Sequence, residues 1–153
     1  MNKNLIEKFL KEANKSTYAN KSAPKVKSSL QESFDYEYVK GNLKYHDTYF
    51  GERDFIGVEV IYKDKEVVWG SNYYGYILDK KIDKDFVYDF LRESLMKESS
   101  DILPIRGPKK YINGKLTYSF KVNGDISRFS GKEEIFFNNK CIYTCILNGG
   151  EVD

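Results

Sequence analysis

Hydrophobic residues recur at helical spacing in two parts of the chain and alternate with polar residues in most of the rest. Apolar residues at positions 5, 6, 9, 10 and 13 form one stripe, which predicts an amphipathic helix near the N-terminus. A second stripe predicts a helix over about residues 84–97, with Asp83 as its N-cap. From Phe34 onward the alternation has a period of two, which is typical of β-strands.

Short turn sequences divide the alternating regions into two antiparallel meanders. Turns are predicted at Gly41-Asn42, at residues 51–53 and at Asp64-Lys65, so the first meander has four strands. After the second helix, Asn113-Gly114 is a strong hairpin signal. Further strands are expected at KLTYSFKV, ISRFS, KEEIFFN and KCIYTCIL.

The two meanders share sequence motifs. YVKGNLKY at 38–45 and YINGKLTY at 111–118 both fit Y-x-x-G-x-L-x-Y. FIGVE at 55–59 and FSGKE at 129–133 both fit F-x-G-x-E. Because a predicted helix also precedes each meander, the pattern indicates an internal duplication.

We therefore predict a single domain over residues 1–153 that contains two α-β4 repeats, at about 3–78 and about 82–150. The expected fold class is α+β. The two antiparallel meanders would form one curved sheet or a partly closed barrel, with two helices against it, since one meander alone would leave an edge and an apolar face exposed.

Composition and charge exclude several classes of protein. The chain is 41% hydrophobic and 16% aromatic, which is too much for a disordered chain. It has no apolar run long enough for a membrane span and no signal peptide pattern, so we expect a cytoplasmic protein without membrane contact. The net charge of +2 makes nucleic-acid binding by this chain alone unexpected. Residues 1–33 are nevertheless basic, with seven lysines and three glutamates.

The predicted strand registers sort the first meander into two faces. One face is rich in tyrosine and carries Asp47, Glu59 and Asn72, with Gly57 and Gly70 leaving a hollow beside them. Such a hollow is suited to a small polar ligand. The other face has an aliphatic centre, which we expect to pack on a helix. The candidate ligand-binding residues are Tyr36, Tyr38, Tyr45, Asp47, Glu59, Asn72, Tyr74 and Arg106.

The candidates differ in whether the second meander contains an equivalent residue. The motif match gives Glu59 an equivalent in Glu133, so Asp47 and Asn72 are better functional candidates than Glu59. The alternative is that all three satisfy internal hydrogen bonds in a tyrosine-rich core. Arg106 could reach an anionic ligand, or it could bind a carboxylate such as Glu59, and we prefer the second interpretation.

No cofactor or metal is expected. The sequence has no glycine-rich phosphate loop, nucleophile elbow or zinc-ligand spacing. His46 is the only histidine, and the register places it on the face opposite Asp47. The sequence makes no prediction of oligomeric state.

Several motifs together resemble a known domain family: LKYHDTYFG, FIGVE, a tryptophan followed by SNYYG, PIRGP, and F-x-G-x-E with the closing CILNGG. They are similar to a bacterial family of unknown function that occurs alone or C-terminal to Cro-like (XRE-type) helix-turn-helix domains of transcriptional regulators. The resemblance covers nearly the whole chain and brings no activity with it.

Three functions follow from these observations. We expect a small-molecule-binding or sensor-type module that uses the tyrosine-rich face. A hydrolase or isomerase with Asp47 and Glu59 as acid and base is the second hypothesis. A protein-interaction domain that uses the basic loop at 20–29 or an exposed strand edge is the third.

Overall fold

Two helices and eight strands make up the regular structure of the computed structural model, which describes residues 2–153. In chain order they are α1 (Lys3–Ser16), β1 (Phe34–Lys40), β2 (Leu43–Gly51), β3 (Asp54–Lys63), β4 (Glu66–Ile77), α2 (Lys84–Leu95), β5 (Lys110–Asn113), β6 (Leu116–Asp125), β7 (Arg128–Phe137) and β8 (Lys140–Glu151). The α+β fold class is confirmed.

Both predicted helices form, and the predicted N-cap of the second, Asp83, is confirmed; the first helix is capped by Asn2. The Asn2 side chain accepts a hydrogen bond from the Leu5 amide at the start of α1. The Asp83 side chain accepts one from the Asp85 amide at the start of α2. Most of each apolar stripe is buried, although Leu5 and Phe86 are exposed. Within residues 2–153 no helix is long and apolar enough to cross a membrane.

The eight strands form one antiparallel sheet in the order β1-β2-β3-β4-β8-β7-β6-β5. The two meanders meet where β4 pairs with β8, for example at Gly75 and Cys145. Strands β1 and β5 are the two edges and do not pair with each other, so the predicted partly closed barrel is wrong and the sheet is open. The internal duplication remains a prediction.

The second meander differs from its predicted strand list. ISRFS and KEEIFFN, expected as two strands, belong largely to the single strand β7. The chain reverses at Ile126-Ser127, the first two residues of ISRFS, where β6 turns back to pair Asp125 with Arg128. Ile126 is fully buried even though it lies in the turn. Its carbonyl accepts a 2.8 Å hydrogen bond from Trp69 Nε1, which ties the turn to the first meander.

Both helices cover the same side of the sheet, and it is the tyrosine-rich face, defined here by Tyr36, Tyr45, Asp47, Glu59 and Tyr73. The Phe9 ring of α1 lies 5.5 Å from the Tyr38 ring, and the Tyr88 ring of α2 lies 6.3 Å from Phe55.

The opposite side is the open face, defined by Ile56, Val58, Asn72 and Tyr74, all of which are exposed. The expectation that this face packs on a helix is therefore wrong. Its aliphatic centre faces solvent because the helices cover the aromatic side instead.

A β-bulge in β4 decides which side chains reach each face. Tyr62 pairs with Val67 but Ile61 pairs with Trp69, so Val68 is one extra residue. This single insertion reverses the alternation for the rest of the strand. Trp69 consequently lies on the tyrosine-rich face, where it is fully buried, and Asn72 pairs with Val58 on the open face.

Candidate functional site

A cavity of about 280 Å³ lies between the tyrosine-rich face and the two helices. Its floor includes Asp47 and Glu59 from the sheet, and its walls include Tyr18 after α1, Tyr88 from α2 and Arg106 from the segment before β5. The volume is close to the lower end of the roughly 300–1,000 Å³ that is usual for ligand pockets. The space is therefore suited to a molecule smaller than a typical drug.

Asp47 on β2 and Glu59 on β3 are directly opposite each other in the sheet. A three-residue turn at 51–53, as predicted from the sequence, would pair Asp47 with Gly57 and make Asp47 and Glu59 diagonal neighbours. The observed register differs by two residues, which keeps both side chains on the same face and brings them closer together. Each residue is only 3% exposed.

In each of these carboxylates only one of the two oxygens accepts a hydrogen bond from the described part of the protein. The Tyr73 hydroxyl donates to Asp47 Oδ1 at 2.7 Å, and the Tyr45 hydroxyl donates to Glu59 Oε1 at 3.0 Å. Within residues 2–153 the second oxygen of each group has no hydrogen-bond partner, and neither atom is sealed away from the cavity surface. Both oxygens are therefore free to accept a hydrogen bond from a ligand.

The environment favours the protonated form of this pair. Burial, followed by the charge of Glu59, raises the pKa of Asp47 to about 8. Burial also raises the pKa of Glu59, although Arg106 and the Tyr45 hydroxyl act in the opposite direction. Ionising both of two adjacent acids in a low-dielectric site costs a large free energy, so the pair holds a proton near neutral pH.

Arg106 lines the cavity, but its carboxylate partner is Glu133 rather than Glu59. Arg106 Nε donates to Glu133 Oε2 at 2.9 Å, and Nη2 donates to Oε1 at 3.0 Å. Tyr118 and Tyr143 each donate one more hydrogen bond to Glu133. The expected contact with Glu59 is therefore wrong, because β7 presents a fully buried glutamate that meets the guanidinium in a bidentate pair.

Glu133 and Glu59 differ in the number of hydrogen bonds that their carboxylates accept. Glu133 accepts four hydrogen bonds, two on each oxygen, and this is sufficient to explain a structural role. Glu59 accepts one. Glu59 therefore belongs with Asp47 as a candidate binding group.

The cavity opens toward solvent beside the turn between β2 and β3. Glu52 in this turn is exposed and forms an ion pair with Lys84 at the start of α2. The Tyr88 hydroxyl donates to the Glu52 carbonyl. Lys25 lies on the other side, with its ammonium 4.0 Å above the Phe34 ring. These contacts connect the mouth of the cavity to both the helix and the sheet.

The structure brings only part of the predicted site together. Tyr45, Asp47, Glu59 and Arg106 line the cavity. Tyr36 and Tyr38 lie on the tyrosine-rich face but do not line the cavity. The Tyr38 hydroxyl donates a hydrogen bond to Glu12 of α1 instead.

Asn72 and Tyr74 lie on the open face because of the bulge at Val68, so the predicted grouping of Asn72 with Asp47 is wrong. The predicted hollow at Gly57 is also wrong, because the Tyr73 ring covers that glycine. Gly70 is in register with Val60 and lies on the open face.

Sequence reasoning missed several residues of the site. Tyr73 is not among the predicted candidates, because unbroken alternation from Asn72 would place it on the face opposite Asp47. The apolar run Val67-Val68-Trp69 is a signal that alternation fails there. Tyr18 and Tyr88 reach the cavity from outside the sheet, and no pattern in the sequence marks them. Burial raises the pKa of Tyr18 to about 12, so its hydroxyl remains protonated at neutral pH.

His46 lies on the side opposite Asp47, as predicted. Its ring bonds to Asp35 at 2.6 Å and to Glu37 at 2.9 Å, which joins β1 to β2. Among residues 2–153 no group of three histidine, cysteine, aspartate or glutamate side chains is arranged to hold a metal ion.

Comparison with known proteins gives a family but no activity. No curated protein matches the chain, and no solved structure does. A family model described as a domain of unknown function, DUF5680, matches residues 47–152, which is well over half of the chain. The match begins at Asp47 and includes Glu59, Arg106 and Glu133. The chain therefore belongs to the DUF5680 family of domains of unknown function.

Proposed function

We propose that the protein binds a small polar molecule in the cavity, as a sensor-type module. The observation that carries the proposal is the pair of half-satisfied carboxylates, Asp47 and Glu59, which line a cavity of about 280 Å³. Burial and the charge of the neighbouring acid disfavour the ionised form of Asp47, which costs stability at neutral pH, and a purely structural role leaves this cost unexplained.

The surroundings of the pair support this role. The aromatic rings that line the cavity supply apolar contact area, and a few polar groups supply direction, which is the usual composition of a ligand site. Arg106 is held in place by Glu133 and needs no rearrangement before a ligand binds. A preorganised site loses less free energy on binding.

A thermal-shift screen against a metabolite library tests the proposal. A ligand present at 100 times its Kd stabilises the folded state by about 2.7 kcal/mol, which corresponds to roughly 5–10 °C in Tm for a chain of this size. We expect the wild type to respond and Asp47→Asn to lose the response. Asn72→Ala, on the open face, is the matched control and should respond like the wild type. If no compound shifts the wild type, or if Asp47→Asn responds equally, the proposal is wrong.

The raised pKa of Asp47 favours a second function, proton transfer by a hydrolase or isomerase. Asp47 would be the acid and Glu59 the base. The test is turnover of generic ester, glycoside and phosphate substrates. Asp47→Asn and Glu59→Gln should each lower the rate at least 100-fold if the pair does the chemistry. Equal rates in the variants would reject it.

A further inference from the structure

The cations deep in the cavity already have partners. Arg106 is paired with Glu133 through two hydrogen bonds. Arg92 of α2 donates to the Tyr18 carbonyl, lies 4.6 Å from the Tyr18 ring centre and is 3.8 Å from Asp89. The Arg106 charge is therefore matched by Glu133. Arg92, in contrast, shares Asp89 with Lys21 and is held in place by its contacts with Tyr18.

The lysines at the mouth are also engaged. Lys84 forms its ion pair with Glu52, and Lys25 lies over the Phe34 ring. The two acids at the floor of the cavity, in contrast, have no partner of opposite charge among the described residues. Within the described chain, residues 2–153, Asp47 and Glu59 form no salt bridge, and their only hydrogen bonds come from tyrosine hydroxyls. Because the pair holds one proton near neutral pH, the remaining negative charge at the floor of the cavity has no cation from this part of the chain beside it.

We infer that the cavity takes a small organic cation with its ammonium group between Asp47 and Glu59, an inference that rests on the ligand-binding function proposed above. The two free carboxylate oxygens would accept charge-assisted hydrogen bonds from the ammonium N–H groups. Tyr18, Phe55 and Tyr88 line the same space, so aromatic rings surround the remainder of the ligand and can add cation–π attraction.

Other ligand charges fit the site less well. An anion at the floor would lie against two acids, and the Arg106 guanidinium is already neutralised by Glu133. A hard divalent ion needs about six or more oxygen ligands, whereas the pair offers two free carboxylate oxygens among aromatic rings. A neutral alcohol could donate to one oxygen but would leave the charge of the pair unbalanced.

Three probes of nearly equal shape separate these cases: 2-phenylethylamine, 2-phenylethanol and 3-phenylpropanoate. We expect isothermal titration calorimetry at pH 7 to show the amine binding at least tenfold more tightly than the alcohol, with no binding of the carboxylate. If the alcohol or the carboxylate binds as tightly as the amine, the cation inference is overturned while the binding function survives. If none binds, the inference is overturned, and the metabolite screen decides the binding function separately.

Two isosteric variants and one control locate the binding. Asp47→Asn and Glu59→Gln each remove one acid without changing shape, and each should lower the preference for the amine over the alcohol by tenfold or more. Asn72→Ala should retain the wild-type preference. A preference that persists in both acid variants would overturn the assignment of the ammonium to this pair.

Release of protons on ligand binding distinguishes a binding role of the Asp47–Glu59 pair from a purely structural one. The groups whose charges or hydrogen bonds act on Asp47 are Glu59, Tyr73, Arg106 and Asp35. Because the unliganded pair holds a proton at pH 7, an ammonium that takes its place should release up to one proton per ligand. Titration in two buffers of different ionisation enthalpy measures that number. Equal enthalpies in both buffers would contradict the exchange of a proton for the cation.

Discussion

Replacement of Asp47 by asparagine should make the protein's stability less sensitive to pH. Burial raises the pKa of this carboxyl from its ordinary value of 3.8 to about 8. Between these two values the folded protein holds a proton that the unfolded chain releases. A group whose pKa is raised by folding stabilises the protein at low pH, and this contribution is lost as the pH rises through the folded-state pKa.

The magnitude follows from proton linkage. One extra proton bound by the folded state lowers the free energy of unfolding by about 1.4 kcal/mol per pH unit. Between pH 5 and pH 7 the wild type should therefore lose about 2–3 kcal/mol from this residue, and the loss should level off above about pH 8. Asparagine has nearly the same shape and cannot ionise, so the variant should lack this term.

Urea unfolding at pH 5, 6 and 7 measures the difference. Trp69 is the only tryptophan and is fully buried, so its fluorescence reports unfolding of the whole sheet. We expect Asp47→Asn to gain about 2–3 kcal/mol relative to the wild type from pH 5 to pH 7, because the contributions of titrating groups distant from the pair cancel in the difference.

Glu66→Gln, at an exposed position, is the control, and its difference from the wild type should change far less with pH. A constant difference between Asp47→Asn and the wild type would refute a buried, protonated aspartate. It would mean that Asp47 is already ionised in the folded protein at pH 5, as it is in the unfolded chain.

Two further changes test the packing around the site by urea unfolding. In Gly57→Ala the new Cβ would lie 2.3 Å from the Tyr73 hydroxyl, so we expect a loss of about 1–3 kcal/mol, whereas Gly70→Ala, whose nearest contact is 3.5 Å, should change stability little. Equal effects at the two glycines would contradict the close approach of Tyr73. Glu133→Gln should cost about 3–5 kcal/mol because it leaves the buried Arg106 without a charge partner, and Arg106→Met in the same chain should recover part of that loss. No recovery in the double variant would argue against the pair as the cause.

Much of the fold follows from the sequence because its signals are local. The helical stripes, the caps at Asn2 and Asp83 and the glycine-containing turns each act within a few residues. Gly41 and Gly114 have φ values of +62° and +59°, which favour glycine in tight hairpins. Alternation alone was sufficient to place Asp47 and Glu59 on one face, even though the register was two residues off.

The remaining features depend on interactions that are distant in the sequence. The bulge at Val68 moves Asn72 to the open face, and a single extra residue has only a weak signature. The side covered by the helices could not be read from hydrophobicity, because the aliphatic face looked more suitable for packing. The tyrosine-rich face can be buried because its hydroxyl groups find hydrogen-bond acceptors inside the protein. The Tyr118 and Tyr143 hydroxyls, for example, donate to the buried Glu133.

The predicted duplication makes Glu133 the counterpart of Glu59, and the residues opposite these two glutamates differ in a way that is the strongest physical argument for a site. Asp47 is opposite Glu59, and in the second meander Phe120 is opposite Glu133. Phe120 is 1% exposed and fills its side of the core, while the neighbouring glutamate is saturated with hydrogen bonds. An apolar ring at this position is therefore compatible with the architecture. The aspartate in the first meander costs stability through burial and through repulsion from Glu59, and a ligand that supplies the missing positive charge would offset that cost.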